Sequence, residues 1–220
     1  MDSLDFQFKH PTTIQVSGPT RCGKTKLLRR ILEEQLIQPF ATRIIRVYSE
    51  WQPDYDMIRE RYPGIEFEKG WRNDILDSLS PETRNILVLD DQMGIASSRT
   101  SVANLFTKGS HHSNLTVISL VQNVYNQGKS QRTISLNAHY SVVFCNGRDV
   151  SQFRSMAYQI CPNDGNWLAN SFMDATSKPY EYLVLDHHPS TPEDQTVVIN
   201  ILVEDQLTYY INSHAKVKRH

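Results

Sequence analysis

The chain has 220 residues with 23 basic and 24 acidic side chains, a net charge of −1, 39% apolar residues and 21% charged ones. That length suits one domain able to hide about 70% of its unfolded surface in a core, and the apolar share excludes a disordered chain. The balanced charge excludes a histone-like polycation, so any contact with nucleic acid must come from a local patch or a ring of subunits.

The first residues, MDSLDFQFKHPTT, are polar and acidic, unlike a secretory leader. No apolar run approaches the roughly 18 residues of a membrane span. Three cysteines, Cys22, Cys145 and Cys161, are too few for a disulfide framework. The chain is therefore expected in a reducing, intracellular compartment, with no membrane required.

Residues 12–17 (TTIQVS) form a short β-branched run that ends in a glycine loop. Residues 24–36 then carry Leu27, Leu28, Ile31, Leu32 and Leu36, the stripe of an amphipathic helix. Residues 44–49 (IIRVYS) read as a second strand. Residues 86–89 (ILVL) are wholly apolar, and residues 115–121 (LTVISLV) and 140–144 (YSVVF) nearly so, as expected of strands covered on both faces. Asp149 opens a further helix with Gln152 three residues on, a capping-box pattern, and Val150, Phe153, Ala157 and Ile160 make its buried face. Residues 182–185 and 197–203 supply late strands, residues 187–194 (HHPSTPED) form a loop, and the tail after Asn212 ends in KVKRH. This alternation predicts an α/β fold with a mostly parallel central sheet flanked by helices. No repeat, low-complexity tract or linker divides it. Residues 1–220 thus read as a single domain, with a core over about residues 12–186 and a C-terminal strand and basic tail over 187–220.

The strongest chemical signal follows the first strand. Gly18, Pro19, Thr20, Arg21, Cys22, Gly23, Lys24 and Thr25 fit G-x-x-x-x-G-K-[ST], a P-loop. Glycines let backbone N–H groups curl around phosphate oxygens, and the following helix adds the positive end of its dipole. Lys24 is placed to reach the β- and γ-phosphates of ATP, and the Thr25 hydroxyl to ligate Mg²⁺. A strand before and an amphipathic helix after meet the context the motif requires. The second signal is residues 86–91 (ILVLDD), an apolar strand ending in paired carboxylates, as a Walker B site does. Asp90 at the strand end would hold Mg²⁺ through water, and Asp91 would act as general base on the attacking water. Asp91 is one methylene shorter than the usual Glu and must lie closer to that water. The third is Gln122, where LTVISLV runs out; its amide can hydrogen-bond both the γ-phosphate and the lytic water. The plainer reading of Gln122 alone is a polar residue that begins a loop.

In order, GPTRCGKT, LVLDD, LFTKGSHHSNLTVISLVQN and RTISLNAHYSVVF resemble the genome-packaging ATPases of the FtsK–HerA superfamily. The closer likeness is to the short poxvirus-type enzymes of large DNA viruses and of Polinton-like or adintovirus-like elements. The resemblance spans roughly residues 12–186, and residues 105–149 carry its narrower part. It implies a P-loop ATPase motor that drives double-stranded DNA into a preformed capsid. Its partners would be that DNA, a homo-oligomeric ring of its own copies and a capsid or portal-vertex protein. Its place would be the host-cell site of virion assembly, cytoplasm or nucleus. The P-loop falls on residues 18–25, the Walker B carboxylates on Asp90 and Asp91, and the strand-end glutamine on Gln122. Asp91 departs from the broader superfamily, where Asp-Glu is usual.

A ring motor also needs a cation from a neighbouring subunit at the γ-phosphate. Arg132, in the loop and helix after Gln122, is the first candidate, and Arg148 the second; each reads otherwise as a surface or capping arginine. Lys108, His111, His112, Lys129 and the KVKRH tail could face a DNA channel, since backbone binding needs little more than positive charge.

Other features read more simply. His111–His112 and His187–His188 are adjacent pairs without metal-ligand spacing. Cys22 is a loop thiol that hydrolysis does not require. Tyr48 and Trp51 pack at a strand end rather than reading a base. Three functions stay open: the packaging motor; another translocase or helicase of the superfamily, or a P-loop kinase, which would normally add an Arg-rich lid not seen here; and a nucleotide-gated assembly factor. Intact Lys24, Thr25, Asp90 and Asp91 argue against the last.

Overall fold

A computed structural model describes residues 6–72, 74–90, 103–106, 114–122, 129–145, 150–202 and 206–212. A short parallel ribbon pairs β1 (Phe8–Lys9) with β3 (Ile37–Gln38). The main sheet is built from β2 (Thr13–Ser17), β4 (Arg43–Tyr48), β5 (Ile65–Lys69), β6 (Asn85–Asp90), β7 (Leu115–Val121), β8 (Tyr140–Phe144), β9 (Tyr182–Asp186), β10 (Val197–Ile199) and β11 (Thr208–Tyr209). Among the described residues its order is β11-β10-β9-β8-β2-β7-β6-β4-β5. The six strands from β8 to β5 run parallel, as the alternation predicts. The late strands β9, β10 and β11 instead join antiparallel.

Helices cover both faces: α1 (Lys24–Glu33) and α2 (Asp54–Arg61) on one, α3 (Asp74–Asp77), α4 (Lys129–Asn137), α5 (Val150–Ile160) and α6 (Gly165–Ala175) on the other. The period-2 pleat explains the division. Ile14, Val16, Ile86, Val88, Ile118 and Leu120 pack with Leu28 and Ile31 of α1. Their strand neighbours Leu87, Leu89, Leu115 and Val117 face Ile75 of α3 and Ile134 of α4. Leu28 and Ile31 are fully buried, and side chains of that size each contribute about 1.5–3 kcal/mol. Phe153 of α5 stacks on Phe172 of α6 with ring centroids 3.8 Å apart, closing the cover over β8 and β9.

Two element ends differ from the sequence expectation for local reasons. The first helix stops at Glu33 rather than Leu36 because Gln35 turns left-handed (φ 51°). The N–H groups of Gln35 and Leu36 then return to the carbonyls of Leu32 and Ile31, a Schellman closure. Similarly β10 ends at Ile199, before left-handed Asn200 (φ 59°), rather than running on. No described helix is long and apolar enough to cross a membrane.

Because β4, β6, β7, β2 and β8 are parallel, their C-terminal ends lie on one edge of the sheet. That edge carries the site.

Candidate phosphate-binding site

The strand β2 delivers the phosphate loop. Ser17 pairs with Val121 on one side and Val143 on the other, and the Gly18 N–H continues the ladder to the Val121 carbonyl at 3.2 Å. Gly18 is required by close approach: a Cβ there would lie 2.6 Å from Phe144 Cβ and 2.8 Å from Cys22 Sγ. Gly23 is required by its backbone, at φ 108° a conformation that strains any other residue. It caps α1 without a side-chain hydrogen bond, and the first turn contains no acid. The first N–H groups of a helix lack partners within it, so this end combines unpaired donors, a positive dipole and the cations Lys24 and Lys26. Such an arrangement binds anions, and phosphate above all.

Lys24 is folded back over the loop. Its Nζ donates to the carbonyls of Gly18 at 2.6 Å and Pro19 at 2.9 Å, and lies 3.9 Å from Cys22 Sγ. Burial pushes the Cys22 thiol up, outweighing the pull of the Lys24 ammonium, so the group stays a protonated loop residue near neutral pH. Thr25 follows as the second residue of α1.

The other predicted strand ends arrive on the same edge. Asp90 ends β6 opposite Leu120, two residues before Gln122. Gln122 follows directly on β7, beside the loop, and is exposed. Asp90 thus lies two strand spacings from β2, about 10 Å across the sheet. The structure brings together residues 18–25, Asp90 and Gln122. Asp91, Arg148, Lys108, His111, His112 and the tail lie outside the described residues, as do the side chains of Lys129 and Arg132. The backbone of Arg132 belongs to α4, which leads into β8.

The sequence reading missed what surrounds Asp90. Arg46, on the neighbouring strand β4, is 1% exposed, and its Nη2 lies 2.5 Å from Asp90 Oδ2. Tyr55 of α2 donates its hydroxyl to the same oxygen at 2.6 Å. The Arg46 guanidinium also sits 4.0 Å from the Tyr55 ring centroid, a cation–π contact. Burial, and then the hydrogen bond to Asp90, push the Tyr55 hydroxyl up, while the Arg46 charge acts the other way; the phenol remains a donor. Nε and Nη1 of Arg46 are buried without a hydrogen-bond partner among the described residues, so the ring face is what compensates them. Tyr48, Trp51, Tyr55 and Phe67 form one aromatic cluster over this pair, with Trp51 5.4 Å from Tyr48 and 5.2 Å from Phe67. Tyr48 and Trp51 are thus packing residues, as expected. The signal in the sequence was a single arginine inside the apolar run IIRVY.

The oxygens of Thr25 and Asp90 are the hard donors a Mg²⁺ ion prefers. With Oδ2 of Asp90 already engaged twice, contact through water suits that carboxylate better than direct ligation. Among the described residues no group of three or more His, Cys, Asp or Glu side chains comes together that could hold a metal ion.

No protein-family model and no curated protein sequence matches the chain. Solved structures do. The DNA-packaging ATPase B204 of Sulfolobus Turreted Icosahedral Virus aligns with a TM-score of 0.54 at 11% identity, over 93% of this chain and 99% of that one. The genome-packaging NTPase B204 of Sulfolobus turreted icosahedral virus 2, solved in complex with ATPγS, aligns at 0.51 and 14% identity over 82% and 95%. A KaiC-like protein, PH0186 of Pyrococcus horikoshii OT3, aligns at 0.49 and 13% identity over 92% and 91%. At such identities the likeness is one of fold alone: an α/β architecture with a mostly parallel central sheet, matching P-loop NTPase structures.

The Arg46–Asp90 pair has a measurable consequence. Arg46→Ala leaves a buried carboxylate without its cation and should cost about 3–5 kcal/mol of stability. Removing the charge as well, in Arg46→Ala/Asp90→Asn, should recover part of that loss. Denaturant midpoints of the two variants check this, and equal losses would show that the ion pair is not what holds the two strands' ends together.

Proposed function

We propose that the chain is an ATP-hydrolysing motor that drives double-stranded DNA into a preformed capsid. It would work as a homo-oligomeric ring on a capsid or portal-vertex protein, inside the host cell where virions assemble. The observation that carries the proposal is the meeting of the phosphate loop, Asp90 and Gln122 on one sheet edge. The fold, shared along most of the chain with two viral packaging ATPases, supports it.

In this reading the N–H groups of residues 18–25 cradle the phosphates of ATP, and Lys24 exchanges the Gly18 and Pro19 carbonyls for β- and γ-phosphate oxygens. Thr25 and Asp90 hold Mg²⁺, which supplies positive charge against the phosphate oxygens. Asp91, next in chain after the end of β6, takes the proton of the attacking water, and the Gln122 amide orients that water. Arg132 of a neighbouring subunit supplies the cation that stabilises the transition state.

DNA should therefore govern turnover. Adding duplex should raise the ATPase rate, with an affinity that falls steeply with salt and no sequence preference, because phosphate contacts carry no base information. Lys24→Ala should abolish basal and stimulated hydrolysis, whereas Asp91→Asn should still bind ATP but turn over about 10²-fold more slowly. A rate indifferent to duplex, or salt-insensitive binding to one short sequence, would overturn the motor.

Subunit mixing tests the shared site. Arg132→Ala should bind ATP normally and hydrolyse it about 10³-fold or more slowly. Mixed with Lys24→Ala it should regain activity, because some boundaries then pair an intact loop with an intact arginine. Recovery with Arg148→Ala alone would move the role to Arg148, and recovery with neither, in rings that still assemble, would refute the arrangement.

A further inference from the structure

The phosphate loop has a second neighbourhood, on the side away from Asp90. A cavity of about 920 Å³ opens there, walled by Gly23, Leu27 and Arg30 from the loop and α1, Phe144 at the end of β8, Tyr180 and Asn200. A smaller one of about 240 Å³, reaching Cys22, adjoins it and shares Phe144 and Tyr180.

Topology fixes what can lie in this place. In the order β9-β8-β2-β7-β6, Asp90 and Gln122 stand on the β7 and β6 side of the loop, and the cavities on the β8 and β9 side. A nucleoside triphosphate whose terminal phosphate points toward Asp90 must leave the loop in the opposite direction, so its sugar and base enter the larger cavity.

The backbone there is unusual. Lys178, Pro179, Tyr180 and Glu181 form a tight turn closed by the Glu181 N–H on the Lys178 carbonyl at 3.4 Å. The Lys178 N–H returns to the Glu181 carboxylate at 3.0 Å. Pro179 takes the second position, and the third has φ 71°. That position of a type II turn normally takes Gly or Asn, which reach positive φ without strain. Here it holds a tyrosine whose side chain gains little from packing, since Tyr180 is 72% exposed. Of the five non-glycine residues with positive φ among the described residues, Tyr180 and Asn200 both line the larger cavity. Strained backbone of this kind gathers where a ligand is gripped.

We infer that Tyr180 is the stacking platform for the base of the bound nucleotide, and that the cavity beside it selects purine nucleoside triphosphates. The ring offers a flat π surface at the mouth of the cavity, against the loop: a Cβ on Gly23 would lie 3.7 Å from Tyr180 Cδ1. A bicyclic purine covers more of that surface than a pyrimidine, and stacking needs no side-chain hydrogen bond to hold it. The inference rests on the nucleotide site proposed above, and deepens it by naming the residue that holds the base.

Competition binding with ATP, GTP, CTP and inorganic tripolyphosphate on the full chain separates the two. The unsubstituted protein should prefer ATP and GTP over CTP and over tripolyphosphate. Tyr180→Gly relieves the turn, so it should fold at least as stably, yet bind ATP about tenfold more weakly with tripolyphosphate unchanged. Tyr180→Phe should keep the ATP affinity. Undiminished ATP binding by Tyr180→Gly, or equal binding of CTP and ATP by the unsubstituted protein, overturns the base assignment while leaving the phosphate site standing. Failure of the unsubstituted protein to bind any of the four overturns the phosphate site, and the base assignment with it.

Discussion

The parallel pairing of β2 with β7 is the constraint on which the site depends. Its register, Thr13 with Val117 through Ser17 with Val121, fixes where each chain leaves the sheet. A slip of one residue would turn Ile14 and Val16 away from α1 and put Gln15 in their place. The same register sets Gly18 beside the residue before Gln122, and β6, one strand on, brings Asp90 to the same edge. The core and the chemistry are thus specified by one ladder.

Charge is arranged around that edge in two compartments. Over the loop it is positive: Lys24 and Lys26 stand in the first turn of α1, which contains no acid. At the end of β6 it is neutralised in place, because Arg46 answers Asp90 within a buried, aromatic-roofed pocket. Two charges out of water at 2.5 Å hold each other firmly, and removing one partner is costly. Asp90 therefore does not swing freely. It offers a fixed carboxylate to whatever approaches from the loop, while the Tyr55 hydroxyl ties that carboxylate to α2. The end of β6 and α2 are thus joined through one side-chain hydrogen bond.

The local parts of this architecture were legible in the sequence because they depend on contiguous residues. The loop follows from eight consecutive positions, and β6, β7 and β8 from apolar runs that only a doubly covered strand tolerates. Strand direction was not legible: residues 182–186 and 197–199 look alike whether they run with the sheet or against it. Helix α6, GNWLANSFMDA, was missed because Gly, Asn, Ser and Asp interrupt its apolar stripe, although Leu168, Ala169, Phe172 and Ala175 are buried. Arg46 and Tyr55 were missed for a different reason. Their meaning lies in Asp90, 44 and 35 residues further along, and no local pattern carries a contact of that range. Tyr180 is similar: a tyrosine after Pro179 looks ordinary until its positive φ is known.

The most direct measurement is a high-resolution structure of the assembled protein with Mg²⁺ and a non-hydrolysable ATP analogue. The triphosphate should lie across residues 18–25 with its terminal phosphate toward Asp90 and Gln122, and Lys24 Nζ should have left the carbonyls of Gly18 and Pro19 for phosphate oxygens. A triphosphate bound elsewhere, or one running with its terminal phosphate toward β8 and β9 while Lys24 stays on those carbonyls, would contradict the account.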